Sequence, residues 1–134
     1  MIIGIGSDLA NIERVDHAIT KFGMRFLKRA FAPVEIDEIE GKNYYSPREY
    51  AAALAKRFAA KEAFSKALGT GFQNGIHMRD VAIVHNANGK PSLKITGGAQ
   101  EYLAKVSGRH LANVHVTMTD DYPWAQAFVI IELI

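Results

Sequence analysis

Apolar residues recur every three or four positions near the start of the chain, a spacing that is typical of helices packed by one face. The stripe made by Ile12, Val15, Ala18, Ile19 and Phe22 predicts a helix between Asn11 and Gly23. Asn11 is a good N-cap, and glycine commonly ends a helix. A shorter helix is predicted from Met24 to Phe31. A third begins at Pro33 with the sequence VEIDEIEG.

The stretch from Ser46 to Gly71, SPREYAAALAKRFAAKEAFSKALGTG, predicts one long helix. Ser46 is a good N-cap, Pro47 fits the first helical position, and the alanine-rich interior has a high helix propensity. Gly69 offers a left-handed end to the helix. Its apolar side chains lie largely on one side and can face a core, whereas its charges lie elsewhere.

The remaining apolar segments predict strands. Ile2 to Ile5 reads as an opening strand that is buried near its centre. The later strands are predicted at Arg79 to His85, Ser92 to Thr96, Val114 to Met118 and Ala127 to Ile134, of which the last is a nearly continuous apolar run and is expected to be buried. Asn86-Ala87-Asn88-Gly89 predicts a hairpin between the first two of these. Pro91, just after that turn, indicates an edge strand or a loop that faces a ligand.

One more helix is predicted from Gly97 to Val106. Strands that pair in hairpins and helices that stand apart from them along the chain indicate an α+β fold. In this fold an antiparallel sheet packs against the long helix, with the shorter helices around it. No biased linker or internal repeat divides the 134 residues. We therefore predict a single domain, residues 1–134, with a modest core that oligomerisation can complete.

Composition narrows the function classes further. The formal net charge of +2 is mildly basic, which permits nucleic-acid binding but does not demand it. The absence of cysteine excludes disulfides, thiol catalysis and cysteine zinc sites. The sequence shows neither a signal-peptide pattern nor an apolar run of membrane-spanning length. We therefore expect a cytoplasmic protein with no membrane and no nucleic acid among its partners.

The long helix carries the main candidate chemistry. Arg57 and Lys61 are four residues apart, as are Glu62 and Lys66, and the spacing alone fits ordinary ion pairs on a solvated face. The excess of bases around Glu62 favours a metal ion that bridges to a phosphate-like ligand, since Mg²⁺ binds one or two carboxylates together with substrate oxygens. A second carboxylate is then needed. Asp8 is a candidate, although an aspartate at a strand end more often starts a turn or a helix.

The two helices after the first strand have basic faces, which hold Arg14, Lys21, Arg25, Lys28 and Arg29. Such a face is a solvated surface or a docking surface for an acidic partner, and the sequence gives the two about equal weight. The charge reverses in the helix that begins at Pro33. We expect its acids, Glu35, Asp37, Glu38 and Glu40, to provide only solubility and a favourable helix dipole.

Several short motifs then occur in one order along nearly the whole chain: Gly4-Ile5-Gly6-Ser7-Asp8, Arg57-Phe58-Ala59-Ala60-Lys61-Glu62-Ala63, Lys66-Ala67-Leu68-Gly69-Thr70-Gly71, Asn88-Gly89-Lys90-Pro91 and His115-Val116-Thr117. With these motifs, the chain closely resembles the holo-[acyl-carrier-protein] synthases, which are the small 4′-phosphopantetheinyl transferases of bacterial fatty acid synthesis. The long-helix motif is the specific one, because G-x-G and G-K-P alone are weak signals.

The resemblance implies transfer of 4′-phosphopantetheine from coenzyme A to a serine of apo-acyl carrier protein, with release of adenosine 3′,5′-bisphosphate. It implies a 4′-phosphopantetheinyl transferase-like fold, Mg²⁺ held by Asp8 and Glu62, and a homotrimer whose active sites are shared between neighbouring subunits. Motif matching assigns coenzyme A contacts to Arg57, Lys61, Lys66, Gly89, Lys90, Pro91 and, as a pocket residue, His115. It also assigns carrier-protein docking to the basic face that holds Arg14, Lys21, Arg25 and Lys28.

The acceptor of the serine proton stays open at this stage. Many relatives place a histidine five positions after the one that matches His115, where this chain has Asp120. Glu62, a metal-bound water and Asp120 are the candidates. A competing hypothesis is a non-catalytic basic domain that binds RNA or an acidic protein through residues 14–29. That hypothesis leaves Asp8 and Glu62 unexplained.

Overall fold

The computed structural model describes residues 1–134 and contains five α-helices, one short 3-10 helix and five strands. In chain order these are β1 (Ile2–Asn11), α1 (Ile12–Phe22), α2 (Met24–Ala30), α3 (Pro33–Glu40), α4 (Pro47–Leu68), a 3-10 helix (Met78–Asp80), β2 (Val81–His85), β3 (Pro91–Ile95), α5 (Gly97–Ser107), β4 (Ala112–Asp121) and β5 (Trp124–Leu133). The predicted α+β class is confirmed. None of the helices is long and apolar enough to cross a lipid bilayer.

The helix ends follow the local capping chemistry. The Asn11 side chain accepts hydrogen bonds from the backbone N–H groups of Glu13 and Arg14, and Ser46 Oγ accepts one from Glu49. At the end of α4, Gly69 adopts the left-handed conformation with φ of 86°. The long helix therefore ends at Leu68, three residues before the predicted limit at Gly71.

The strands form two antiparallel sheets instead of one. The larger sheet has the order β1-β5-β4, and β2 pairs with β3 in a separate hairpin. α4 crosses one face of the larger sheet, and β1 approaches it very closely: a Cβ atom on Gly4 or Gly6 would overlap the carbonyl oxygen of Ala67 or Ala63. The glycines of the first motif thus bring β1, and with it Asp8, against the C-terminal half of α4.

The face of the larger sheet away from α4 is uncovered, and β1 and β5 expose several apolar side chains on it. Ile5 is 62% exposed, Leu9 56% and Phe128 41%, whereas the alternate positions Ala127 and Val129 of β5 are buried. The predicted burial of Ile2 to Ile5 was therefore wrong, because its isoleucines are exposed, and the predicted burial of Ala127 to Ile134 was right for one face only. The helices of the chain supply a single layer, so side chains on the other face have no partner within the subunit.

Candidate functional site

Asp8, Glu62 and Lys66 meet where β1 runs along the C-terminal half of α4. Lys66 Nζ donates to Asp8 Oδ1 at 2.9 Å and to the Ser7 carbonyl oxygen at 3.0 Å. Asp8 lies within a ten-residue strand, and Asn11 provides the N-cap of α1, so the turn or helix-start role for Asp8 was wrong. The first strand thus places this carboxylate on the charged side of the long helix.

Glu62 is half-buried beside a like charge. Burial raises its pKa, the nearby Asp8 carboxylate raises it further, and Lys66 only partly opposes them. Two carboxylates that repel each other in a partly desolvated place fit a divalent cation, because Mg²⁺ binds one or two carboxylates and takes its other oxygens from phosphates and water. The chain offers no group of three or more potential metal-ligating side chains. A cation held here would therefore need oxygens from a ligand or water.

Lys66 is placed to meet an anion. Its side chain is 55% exposed although it forms an ion pair with Asp8. An ammonium group has three N–H donors, and two of them are used by Asp8 and Ser7. The remaining donor is available to an anionic ligand that approaches from solvent.

Lys61, by contrast, is completely buried. Its Nζ donates to Glu35 Oε1 at 2.5 Å, to the Val81 carbonyl oxygen at 2.6 Å and to the Met78 carbonyl oxygen at 3.1 Å. Burial lowers the pKa of Lys61 to about 8, against the opposing effect of Glu35. The expectation that Lys61 contacts coenzyme A is therefore corrected, because all three of its donors are used inside the fold.

Arg57 is buried too, so a single chain does not expose it to a ligand. The residue is 3% exposed, its Nη1 donates to the Ile83 carbonyl oxygen at 2.7 Å, and its Nη2 donates to Glu38 Oε1 at 2.6 Å. The row of Arg57 and Lys61 faces α3 and β2, and the row of Glu62 and Lys66 faces β1. One row is structural, and the other forms the candidate site.

The expectation that the acids of α3 serve only solubility was wrong for Glu35 and Glu38. Glu35 is fully buried against Lys61, and Glu38 binds Arg57 and His85. The sequence did hold a signal: the two acids are three positions apart, and the two bases Arg57 and Lys61 are four positions apart. Both spacings put like charges on one helix face, so the two acids of one helix can form ion pairs with the two bases of the other.

The turn that carries Gly89, Lys90 and Pro91 lies away from Asp8 within one chain. Lys61 binds the start of β2 and Arg57 binds its middle, so the strand runs back toward the N-terminal half of α4 before it reaches the turn. About 14 Å of helix separates Arg57 from Lys66. The hairpin itself was predicted correctly, and Pro91 lies at the end of a two-stranded sheet, where its lack of a backbone N–H is tolerated.

His115 and Asp120 also lie apart from Asp8. His115 is exposed on the uncovered sheet face, with Nε2 3.0 Å from Glu132 Oε1. Asp120 forms an ion pair with Lys56 at 3.0 Å, and the whole of β5 lies between its strand and β1. A single chain therefore brings together Asp8, Glu62 and Lys66 but neither of these two residues.

The basic residues predicted for docking are all exposed, and none forms an ion pair within the chain: Arg14, Lys21, Arg25 and Lys28. Sequence reasoning missed a groove of about 280 Å³ beside them. Its lining includes Asp8, Leu9, Arg14, Phe26 and Phe58. The groove thus runs from the candidate metal carboxylate to the basic surface, and its walls are largely apolar.

Comparisons with known proteins identify the family. A family model described as the 4′-phosphopantetheinyl transferase superfamily (ACPS) matches residues 4–127. The chain belongs to this superfamily. Its members include the holo-[acyl-carrier-protein] synthase of Sphingopyxis alaskensis, which is 53% identical over 135 residues, covering 100% of this chain and 98% of that protein.

Solved structures of such synthases show the same fold. The holo-[acyl-carrier-protein] synthase of Neisseria meningitidis has a TM-score of 0.81 at 36% identity, covering 98% of this transferase-family chain and 99% of that one. The synthase of Bacillus anthracis, solved in complex with CoA (3′,5′-ADP), has a TM-score of 0.73 at 28% identity, with coverage of 98% and 96%. The resemblance drawn from the motifs is therefore confirmed.

Proposed function

We propose that this chain is a holo-[acyl-carrier-protein] synthase, which transfers 4′-phosphopantetheine from coenzyme A to a serine of an apo-acyl carrier protein and releases adenosine 3′,5′-bisphosphate. Family membership supports the reaction class. The observation that carries the assignment to this site is the Asp8, Glu62 and Lys66 group at one end of an apolar groove, with unpaired cations beside it. We also place the reaction in the cytoplasm, as the sequence predicts.

Asp8 and Glu62 would hold the Mg²⁺, and the ion would neutralise negative charge on the pyrophosphate of coenzyme A. Lys66 adds a positive charge from the exposed side and binds a phosphate oxygen. The main task of these residues is alignment, because a serine hydroxyl must approach the phosphorus in line with the departing phosphate. No covalent enzyme intermediate is needed.

Glu62 is the better of the two carboxylate candidates for the proton acceptor. Its carboxylate lies close enough to Asp8 and Lys66 for both charges to act on it, so it is at the phosphate-binding end of the groove. Asp120 is held by Lys56 and lies on the far side of β5. Within one chain, the serine proton therefore has an acceptor at the phosphate-binding end of the groove.

The remaining coenzyme A contacts come from a neighbouring subunit. Gly89, Lys90, Pro91 and His115 are distant from Lys66 in one chain. Pro91 is partly exposed and the other three are exposed, on surfaces that a second copy can present. The uncovered face with Ile5, Leu9 and Phe128 is the kind of apolar patch that marks an interface. These observations support a homotrimer with shared sites. Sedimentation of the pure protein as a monomer at assay concentration would contradict it.

The carrier protein docks on α1 and α2. Arg14, Lys21, Arg25 and Lys28 form no ion pairs within the chain, so an acidic partner can bind them without breaking existing ones. Arg14 also lines the groove that leads to Asp8. A carrier bound on this surface would present its serine at the mouth of the groove.

Charge reversal tests both the function and the docking surface. Arg14→Glu and Arg25→Glu are each expected to raise the KM for apo-acyl carrier protein about tenfold or more, and to leave the KM for coenzyme A within about twofold. Steady-state transfer assays measure both constants. Arg109→Glu, which reverses an exposed charge after α5, is the matched control and should change neither. Equal increases in both KM values would rule out the docking surface, and no transfer by the unaltered protein would rule out the function.

A further inference from the structure

β2 has a partner strand along one edge only. In an antiparallel pair, every second residue directs its backbone groups to the partner strand, and the residues between them direct theirs away. The outward-facing groups of β2 belong to Val81, Ile83 and His85. No strand lies along this edge, so its buried backbone groups need other partners.

Four charged side chains take the place of the missing strand. Lys61 Nζ donates to the Val81 carbonyl oxygen, and Arg57 Nη1 donates to the Ile83 carbonyl oxygen. In return, Glu35 Oε2 accepts from the Ile83 N–H at 3.1 Å, and Glu38 Oε2 accepts from the His85 N–H at 3.4 Å. Two bases from α4 and two acids from α3 thus bind the whole outer edge of β2, which fixes its place on the fold.

Glu38 contacts β2 at its last residue before the turn, and its carboxylate also contacts two side chains. Its Oε1 atom is 2.5 Å from Nδ1 of His85 and 2.6 Å from Nη2 of Arg57. The carboxylate therefore binds both the backbone and the ring of the residue that enters the turn, and Arg57 holds the carboxylate in place.

The turn after His85 is braced from within. Asn86 Oδ1 accepts hydrogen bonds from the N–H groups of Asn88 and Lys90, each at 2.9 Å. The Asn86 N–H donates to the Lys90 carbonyl oxygen at 3.0 Å, and the Gly89 N–H donates to the Asn86 carbonyl oxygen at 2.9 Å. A turn with this many internal bonds moves as one piece with the end of β2.

We infer that Glu38 is a positioning residue for coenzyme A: through His85 and the end of β2, it places the rigid turn that carries Gly89, Lys90 and Pro91. This inference rests on the proposed function, which assigns the turn to the binding of coenzyme A. Glu38 itself contacts no substrate. It acts by holding the element that does.

The test compares Glu38→Ala with Asp37→Ala, which removes an exposed carboxylate from the same helix. Glu38→Ala is expected to raise the KM for coenzyme A about tenfold, with kcat and the KM for the carrier protein within about twofold. Amide hydrogen exchange at Asn86 and Gly89, measured by NMR without substrates, is expected to become about tenfold faster. Asp37→Ala should match the unaltered protein in both assays, and Glu38→Gln, which keeps one acceptor oxygen, should fall between.

The outcomes separate this inference from the proposed function. Unchanged amide exchange at the turn in Glu38→Ala would overturn the positioning role, whether or not the protein transfers phosphopantetheine. A parallel rise in both KM values with a fall in kcat would also overturn it, because that pattern reports a general loss of structure. Faster exchange at the turn, in a protein that shows no transfer even when unaltered, would support the positioning of the turn and refute the proposed function.

Discussion

Glu62→Gln is expected to lower kcat for phosphopantetheine transfer by about a thousandfold or more and to leave the protein folded. The change removes one of the two carboxylates proposed to hold the metal, together with the proposed proton acceptor, and keeps the shape of the side chain. Charge stabilisation of this kind is commonly worth two to three powers of ten in rate. A steady-state transfer assay at saturating substrates measures the loss.

In the absence of Mg²⁺, the same variant is expected to be more stable than the unaltered protein at pH 8. The pKa of Glu62 is raised in the folded state, so the folded protein binds this proton more tightly than the unfolded chain does. Stability therefore falls as the pH rises from the ordinary pKa of glutamate, 4.5, through the raised value. Glutamine does not titrate, so Glu62→Gln does not lose stability in this way as the pH rises. The Tm of the variant should therefore exceed that of the unaltered protein at pH 8, and the difference should disappear below pH 4.5.

Glu49→Gln is the matched control for Glu62→Gln, because it removes an exposed carboxylate from the first turn of the same helix. Its kcat should stay within about twofold of the unaltered protein. Retention of transfer by Glu62→Gln would contradict the assigned site. A lower Tm for Glu62→Gln than for the unaltered protein at pH 8 would contradict the claim that burial and Asp8 destabilise the ionised Glu62.

Lys61→Met is expected to cause the largest loss of stability, about 3–5 kcal/mol in the free energy of unfolding. The substitution leaves the fully buried Glu35 without its closest cation and removes the Lys61 donor from the backbone carbonyl oxygens of Met78 and Val81. For a chain of this size the loss corresponds to about 10–20 °C in Tm. Urea unfolding followed by circular dichroism gives the free energy directly.

Two further variants test whether the buried Lys61–Glu35 pair is the source of this stability. Lys61→Met combined with Glu35→Gln removes both charges and should recover at least about half of the loss, since an unpaired buried charge costs more than a neutral pair. Lys66→Met changes a mostly exposed lysine five positions later and should cost less than about 1 kcal/mol. Similar losses at Lys61 and Lys66 would show that the buried network does not stabilise the fold.

The sequence predicted the parts of the structure that local chemistry determines. The caps at Asn11 and Ser46 and the left-handed Gly69 placed the ends of the helices to within a few residues. The hairpin signal around Gly89 was equally direct. These features depend on a few neighbouring residues, which the sequence displays.

Features that depend on distant packing were predicted less well. Arg57 and Lys61 were assigned to a ligand because a row of bases on a helix gives no sign of which way it faces, and only the fold shows that α3 covers it. The apolar run from Ala127 to Ile134 could not reveal that one of its faces lacks a partner within the subunit. Asp8 was a candidate from the residues alone, but only the resemblance favoured it over a turn or helix start, since its neighbour Lys66 is 58 residues away.

The central claim is that this chain transfers phosphopantetheine to a carrier protein with the help of a divalent metal. Intact-mass spectrometry of purified apo-acyl carrier protein, after incubation with this protein, coenzyme A and Mg²⁺, tests that claim most directly. We expect a mass gain equal to one phosphopantetheine group, and no gain when EDTA is present. No gain with several carrier proteins, under conditions in which an established synthase modifies them, would contradict the claim and favour a basic domain that binds without catalysis.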